Sequence, residues 1–223
     1  MALQPPYLQT LMGYPVVTAG MVMGPRGMGT MASMLIVGRL TGRMDTRLLL
    51  AIWLGLTAWS FNEMTGWTPV SQATIISVGV VQGAGLGFLF VPLSAATLST
   101  LPLQTRTEGA GLYNLSRNIG SSVGISIVNS LITRNTQANH AAIVPNVTAV
   151  NRGFEHPAIA HAWDPLTAAG RAALDAVITK QAQIIAYIDD YKFLMIATLA
   201  VLPLLIVFRK PAGAPPAEPI VVE

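Results

Sequence analysis

The sequence predicts an all-α membrane protein with five transmembrane helices, and three observations carry that prediction. Of 223 residues, 52 % are hydrophobic and 10 % charged, against about 25 % charged in an average soluble domain; mean hydropathy is +0.55. The apolar residues fall into separate runs, several near the length of about 20 residues that crosses a hydrocarbon layer of about 30 Å. A soluble chain of this size buries one core and has no use for several such runs. Finally, Arg39, Arg43 and Arg47 crowd one short loop at the end of the first run. Lys and Arg in short loops resist translocation, so this loop belongs on the cytoplasmic side. Because the arginines sit at span ends instead of forming a basic face, the net charge of +3 does not point to nucleic acid.

The elements follow in order. Residues 1–13 hold no Lys or Arg and are expected as an external loop. The first span covers 14–37 and is apolar apart from Arg26, with Gly24-Pro25 just before it expected to break the helix. After the loop Gly38–Arg47, the second span covers 48–62, and Trp59 and Trp67 are expected at the outer interface. The third, 71–99, carries Gly79, Gly83 and Gly87 four residues apart, a spacing that lets a neighbouring backbone approach one helix face. Pro92 should kink it. A cytoplasmic turn with Arg106 leads to the fourth span, 109–133, whose Gly120 and Gly124 form a second expected close-packing pair. Residues 14–133 thus hold four spans.

Four crossings from an external start end outside, so 134–190 is a long external loop. Basic residues in a loop of that length count little for orientation. Asp164-Pro165 is a good helix start, and Leu166, Leu174, Val177, Ile178, Ile184, Ile185 and Ile188 recur near helical spacing. They predict an amphipathic helix over 165–188 on the outer membrane face. The last span covers 191–208, and the Pro/Ala-rich tail 209–223 is expected to be disordered in the cytoplasm. The amino terminus is then outside and the carboxy terminus inside.

The spans differ in polarity. Arg26 lies in the first, Gln82 in the third, and Asn114, Arg117, Asn118 and Asn129 in the fourth, whereas the second and fifth carry almost nothing polar. Lipid-facing helices cannot carry such groups, and helices lining a wet cavity can. Spans one, three and four are therefore expected to face a cavity, with Arg26, Gln82, Asn114 and Asn118 along the substrate path. The competing reading is that these amides only hydrogen-bond between helices.

Several stretches resemble one family. The loop Gly38-Arg39-Leu40-x-x-Arg43-x-x-x-Arg47, preceded by Gly24-Pro25-Arg26-Gly27, is similar to the second-half cytoplasmic loop of the major facilitator superfamily, in its fourteen-span drug:proton antiporter (EmrB/QacA-like) members. The runs PPYLQ, GLGFLFVPLSAATL, GAGLYNLSRNIGSSVGIS and QAQIIAYIDDY resemble the same family. The family loop has an acid before its central arginine, where this chain has Gly42; Asp45 is the residue available to replace it. The resemblance implies five helices forming most of the C-terminal half of a major facilitator fold, the carboxy-terminal portion of a longer transporter. It implies proton-driven export of amphipathic, often cationic, toxic compounds by alternating access, with Gly38, Arg39, Arg43, Asp45 and Arg47 shaping a cytoplasmic gate. The implied setting is the plasma (inner) membrane. The partners are substrate, protons, lipid and the missing N-terminal spans, with the external loop as the surface where an external adaptor protein would dock.

No Asp or Glu lies inside any predicted span; Glu63, Glu108, Asp189 and Asp190 sit at the edges. A proton-coupled antiporter needs an embedded acid, which on this reading lies in the absent half. With no cysteine, there is no thiolate metal site or cysteine nucleophile. His140, His156 and His161 all fall in the external loop at spacings that match no zinc pattern. No cofactor, metal site or enzyme motif is indicated. The alternative function is a non-transporting membrane scaffold, or a split-gene remnant that needs a partner chain.

Overall fold

The computed structural model describes residues 3–67, 70–99, 101–147, 163 and 166–206. Among these the secondary structure is helical, apart from an isolated bridge between Thr41 and Met44. The helices are α1 (Gln4–Pro6), which runs on as a π-helical turn over Tyr7–Leu11, α2 (Val16–Met23), α3 (Pro25–Leu40), α4 (Thr46–Met64), α5 (Gln72–Ser99), α6 (Arg106–Ile143) and α7 (Ala168–Ala200). A 3-10 turn over Leu202–Ile206 follows α7.

The segment 1–13, expected as an external loop, is helical over Gln4–Leu11 and buried: Tyr7 and Leu8 expose 1 % and 0 % of their surface. Its sequence is too short to announce a helix by periodicity, and what holds it is packing against α2, α7 and the turn after α4. Gly13, with φ +69°, then turns the chain into α2.

The expected break at Gly24-Pro25 is mild. Pro25 removes one backbone donor and separates α2 from α3, yet Gly24 keeps helical angles (φ −53°, ψ −46°). From there α3 and α5 interlock. A Cβ added at Gly83 would strike the carbonyl oxygen of Arg26, one at Gly29 that of Val80, and one at Gly87 the hydroxyl of Ser33. The Thr30 hydroxyl lies 3.0 Å from the Gly83 carbonyl oxygen and 3.1 Å from that of Arg26, stitching the two helices at the same level. The four-residue glycine spacing thus marks a contact face. Gly120 and Gly124 differ: an added Cβ meets nothing within 4 Å, because no neighbouring helix closes on α6 at these two positions, and Val128 is its one buried residue.

The fourth predicted span is longer than expected, since α6 continues to Ile143. The amphipathic helix 165–188 and the start of the last span are one unbroken helix, α7, which pairs antiparallel with α6. A contact of 2.9 Å between His140 Nε2 and Asp175 Oδ1 ties the far end of this hairpin. Thr167 caps α7 by accepting from the Gly170 backbone N–H; Asp164-Pro165, His156, His161 and the tail 209–223 lie outside the described residues. By length and composition, α5 is the one described helix long and apolar enough to cross a membrane. Pro25 divides the first predicted span into pieces of 8 and 16 residues.

Two apolar clusters mark opposite ends of the bundle. One joins Tyr7, Leu8, Val22, Met64, Trp67, Val78, Val128, Tyr187 and Tyr191. The other joins Leu50, Leu54 and Leu205, close to Asp45 and Arg47. Trp67, expected at a lipid interface, is 1 % exposed inside the first cluster, where its carbonyl accepts from the Tyr7 hydroxyl at 2.8 Å. Trp59 is 46 % exposed.

Candidate functional site

Arg26 and Gln82, singled out by their polarity within apolar runs, come together inside the bundle. Pro25 at the first position of α3 leaves Arg26 on the face that meets α5, where Gly83 has no side chain to keep the two backbones apart. The guanidinium does not bind the carbonyls near the Gly24-Pro25 junction. Its Nη1 donates to Oε1 of Gln4 at 2.8 Å, and Gln4 Nε2 lies 3.4 Å from Oε1 of Gln82 and 3.8 Å from the Met64 sulfur. Arg26, Gln4 and Gln82 expose 9 %, 5 % and 5 % of their surface. The Arg26 Nε–H is buried without a partner.

Chemically this is a cation held by one amide, Gln4, which is itself linked to Gln82, with no carboxylate among its hydrogen-bond partners. Amide oxygens satisfy N–H groups without neutralising the charge. A buried guanidinium so placed retains a demand for an anion or for water. Gln4 was invisible to a reading that placed residues 1–13 outside. Its one signal is a polar residue within the family-like start of the chain.

The remaining predicted path residues are elsewhere. Asn114 and Asn118 are exposed on α6 and do not join the Arg26 group. On the same helix the Arg117 guanidinium carbon stands 5.3 Å from the centre of the Phe90 ring, a cation–π contact linking α6 to α5.

The arginine loop is a tight turn between α3 and α4. Gly42 takes φ +95°, a left-handed conformation that favours glycine and accounts for glycine where the family has an acid. Asp45 caps α4 by accepting from the Arg47 backbone N–H at 3.1 Å. Arg39 Nη1 donates to the Leu35 carbonyl at 3.3 Å in the last turn of α3, where a cation also favours the helix dipole. Asp45 and Arg47 line a shallow hollow with Leu48, Ala51, Leu202 and Leu205, so the end of the last helix lies beside this loop.

Among the described residues, close glycine-mediated contact between helices and a polar group inside apolar runs are features shared with membrane-helix bundles. The sequence profile described as Major Facilitator Superfamily matches residues 1–125, and the chain belongs to that family. Among curated relatives it is 25 % identical over 159 residues to the uncharacterized MFS-type transporter YhcA of Bacillus subtilis. It is 26 % identical over 178 residues to the multidrug resistance protein B homolog of Mycobacterium tuberculosis, and 27 % over 155 residues to the multidrug export protein EmrB of Escherichia coli K12. These alignments cover 70 %, 77 % and 67 % of this chain and 30 % of each relative, so the chain spans about a third of their length.

Proposed function

We propose that this chain forms the carboxy-terminal five spans of a fourteen-span drug:proton antiporter that exports amphipathic or cationic compounds by alternating access. It lies in the plasma (inner) membrane, amino terminus outside and carboxy terminus in the cytoplasm. Arg26 and Gln82 act in the substrate path, with Asn114 and Asn118 on the exposed face of α6, which the upstream spans cover. Gly38, Arg39, Arg43, Asp45 and Arg47 form the cytoplasmic gate, where Asp45 and the bend at Gly42 fix the entry into α4. An external adaptor protein docks on the segment between α6 and α7.

The observation that carries this reading is the buried Arg26, held by Gln4 and aligned with Gln82 without a counter-anion. A structural arginine is normally matched by an acid or left at the surface. One left incompletely satisfied inside a transporter-family bundle has a job that completes its surroundings, namely water or an acid from the other half of the protein.

Residues 1–223, as the last third of such a transporter, cannot move drug without the remaining cavity wall. Cells expressing residues 1–223 alone are expected to show no drug efflux, measured by dye retention. Co-expression with the nine upstream spans is expected to restore it. Proton-linked efflux by residues 1–223 alone in liposomes would overturn the division of labour proposed here.

A further inference from the structure

Asp190, read from the sequence as an edge residue, has no exposed surface at all. Both of its carboxylate oxygens are buried without a hydrogen-bond partner, as are the Tyr191 hydroxyl and the Trp67 indole N–H. Ala182 and Ala186, at preceding turns of α7, are equally enclosed, so this face of the helix is closely packed. Aromatic rings gather around the adjoining Tyr191. Tyr7 lies 5.3 Å from Tyr187 and 6.4 Å from Tyr191 between ring centres, while Trp67 and Phe61 lie 6.2 Å and 6.5 Å from Tyr191. Tyr7, Trp67 and Tyr191 are each 1 % exposed.

An ionised carboxylate cannot remain dry and unpaired at low cost, whereas a protonated one can. The enclosure offers no cation. Lys192 stands 3.9 Å from Asp189, on the solvent side of α7. The other ionisable groups around Asp190 are Tyr187 and Tyr191 on its own helix and Tyr7 on the amino-terminal turn. From α4 come Phe61 and Met64, with Glu63 exposed, and from α6 come Val128 and Ile132, with Arg134 exposed.

We propose that Asp190 is a proton-binding acid of this transporter. Its carboxylate takes up one proton at the external end of the bundle to reach the packed state seen here, and loses it when the contacts among α1, α4 and α7 open to water. The proposal rests on the transport reading for its role, and on the enclosure alone for its chemistry. It also changes the expectation that the proton-carrying acid lies wholly in the absent spans.

Asp190 immediately precedes the predicted last span. Burial, then the charge of neighbouring Asp189, pushes its carboxyl up to about 6 from 3.8. Because the folded state holds this proton more tightly than the unfolded chain, the group's contribution favours folding at low pH and is lost as pH rises through about 6.

The test uses the complete transporter, purified as wild type and as Asp190→Asn. Infrared titration should show a protonated-carboxyl band in the wild type that disappears as pH rises through about 6 and is missing from the variant. The melting temperature of the wild type should rise on acidification, with a weaker rise in Asp190→Asn, and the variant's efflux should lose its pH dependence. A wild-type band that survives in Asp190→Asn, or an unchanged pH profile, overturns the proposal. If Asp190→Asn does not accumulate, Asp190→Glu replaces it: the band must shift in frequency and midpoint, and an unshifted band refutes the assignment. A titrating Asp190 band in a protein without efflux would remove the transport reading while upholding the protonation. Efflux with no such band would do the reverse.

Discussion

Gly83→Ala is expected to remove most of the protein from the membrane, and Gly79→Ala to leave its abundance unchanged. The two glycines lie one helical turn apart on α5, but their surroundings differ. A Cβ at position 83 collides with the Arg26 carbonyl oxygen, whereas one at position 79 meets the Arg26 Cβ at an ordinary 3.9 Å. A backbone obstacle cannot rotate aside like the end of a side chain, so α3 and α5 must separate. Overpacking of this kind costs about 1–3 kcal/mol even where side chains can adjust. Here it also stretches the bond from Thr30 to the Gly83 carbonyl. Fluorescence of a tagged protein and its melting in detergent measure the effect. Wild-type abundance and melting of Gly83→Ala would show that the two helices do not touch as described.

Arg26→Lys in the complete transporter is expected to insert and accumulate normally yet lose most efflux, by about ten-fold or more. Lysine keeps the charge but not the planar, multi-donor fork that reaches Gln4 while presenting further N–H groups. A hydrogen bond to a charged group contributes about 1.5–3 kcal/mol, enough for a loss of that size. Arg26→Ala should lose efflux too without a fall in abundance. On insertion scales it removes a cation that costs about 2.5–3.5 kcal/mol near the bilayer centre. If Arg26→Ala instead prevents accumulation, Arg26 holds α1, α3 and α5 together and has no direct part in transport.

Much of the helix map was legible because composition changes sharply at helix ends. The predicted 48–62 and 71–99 correspond to α4 over Thr46–Met64 and α5 over Gln72–Ser99. The glycine ladder on α5 was readable as a contact face, but the similar spacing of Gly120 and Gly124 was not informative. Spacing defines a face without saying what stands opposite. The unity of α7 was hidden by Asp189, Asp190 and Lys192, whose charges mimic a boundary in a linear reading. In three dimensions Asp190 turns inward while Asp189 and Lys192 stay out.

The candidate site was half legible. Arg26 and Gln82 stand out as polar residues in apolar runs, and the structure brings them to one place. Gln4 and Asp190 are set by long-range packing, the first through Arg26 and the second beside Tyr191, whose ring meets those of Tyr7, Phe61 and Trp67. No local pattern encodes such enclosure. Asn114 and Asn118 remain on an exposed helix face, where their role depends on what covers it.

The orientation of the arginine loop underlies the gate, the path and the external placement of Asp190, and the lack of cysteine makes it directly measurable. Single cysteines are introduced as Thr41→Cys, beside Gly42 in that loop, and Ala142→Cys, near the far end of α6. Each is treated with a membrane-impermeant thiol reagent in intact cells and in inverted vesicles. Position 41 is expected to react only from the cytoplasmic side and position 142 only from outside. Reaction of position 41 in intact cells would contradict the orientation, and with it the gate and the external site of proton uptake.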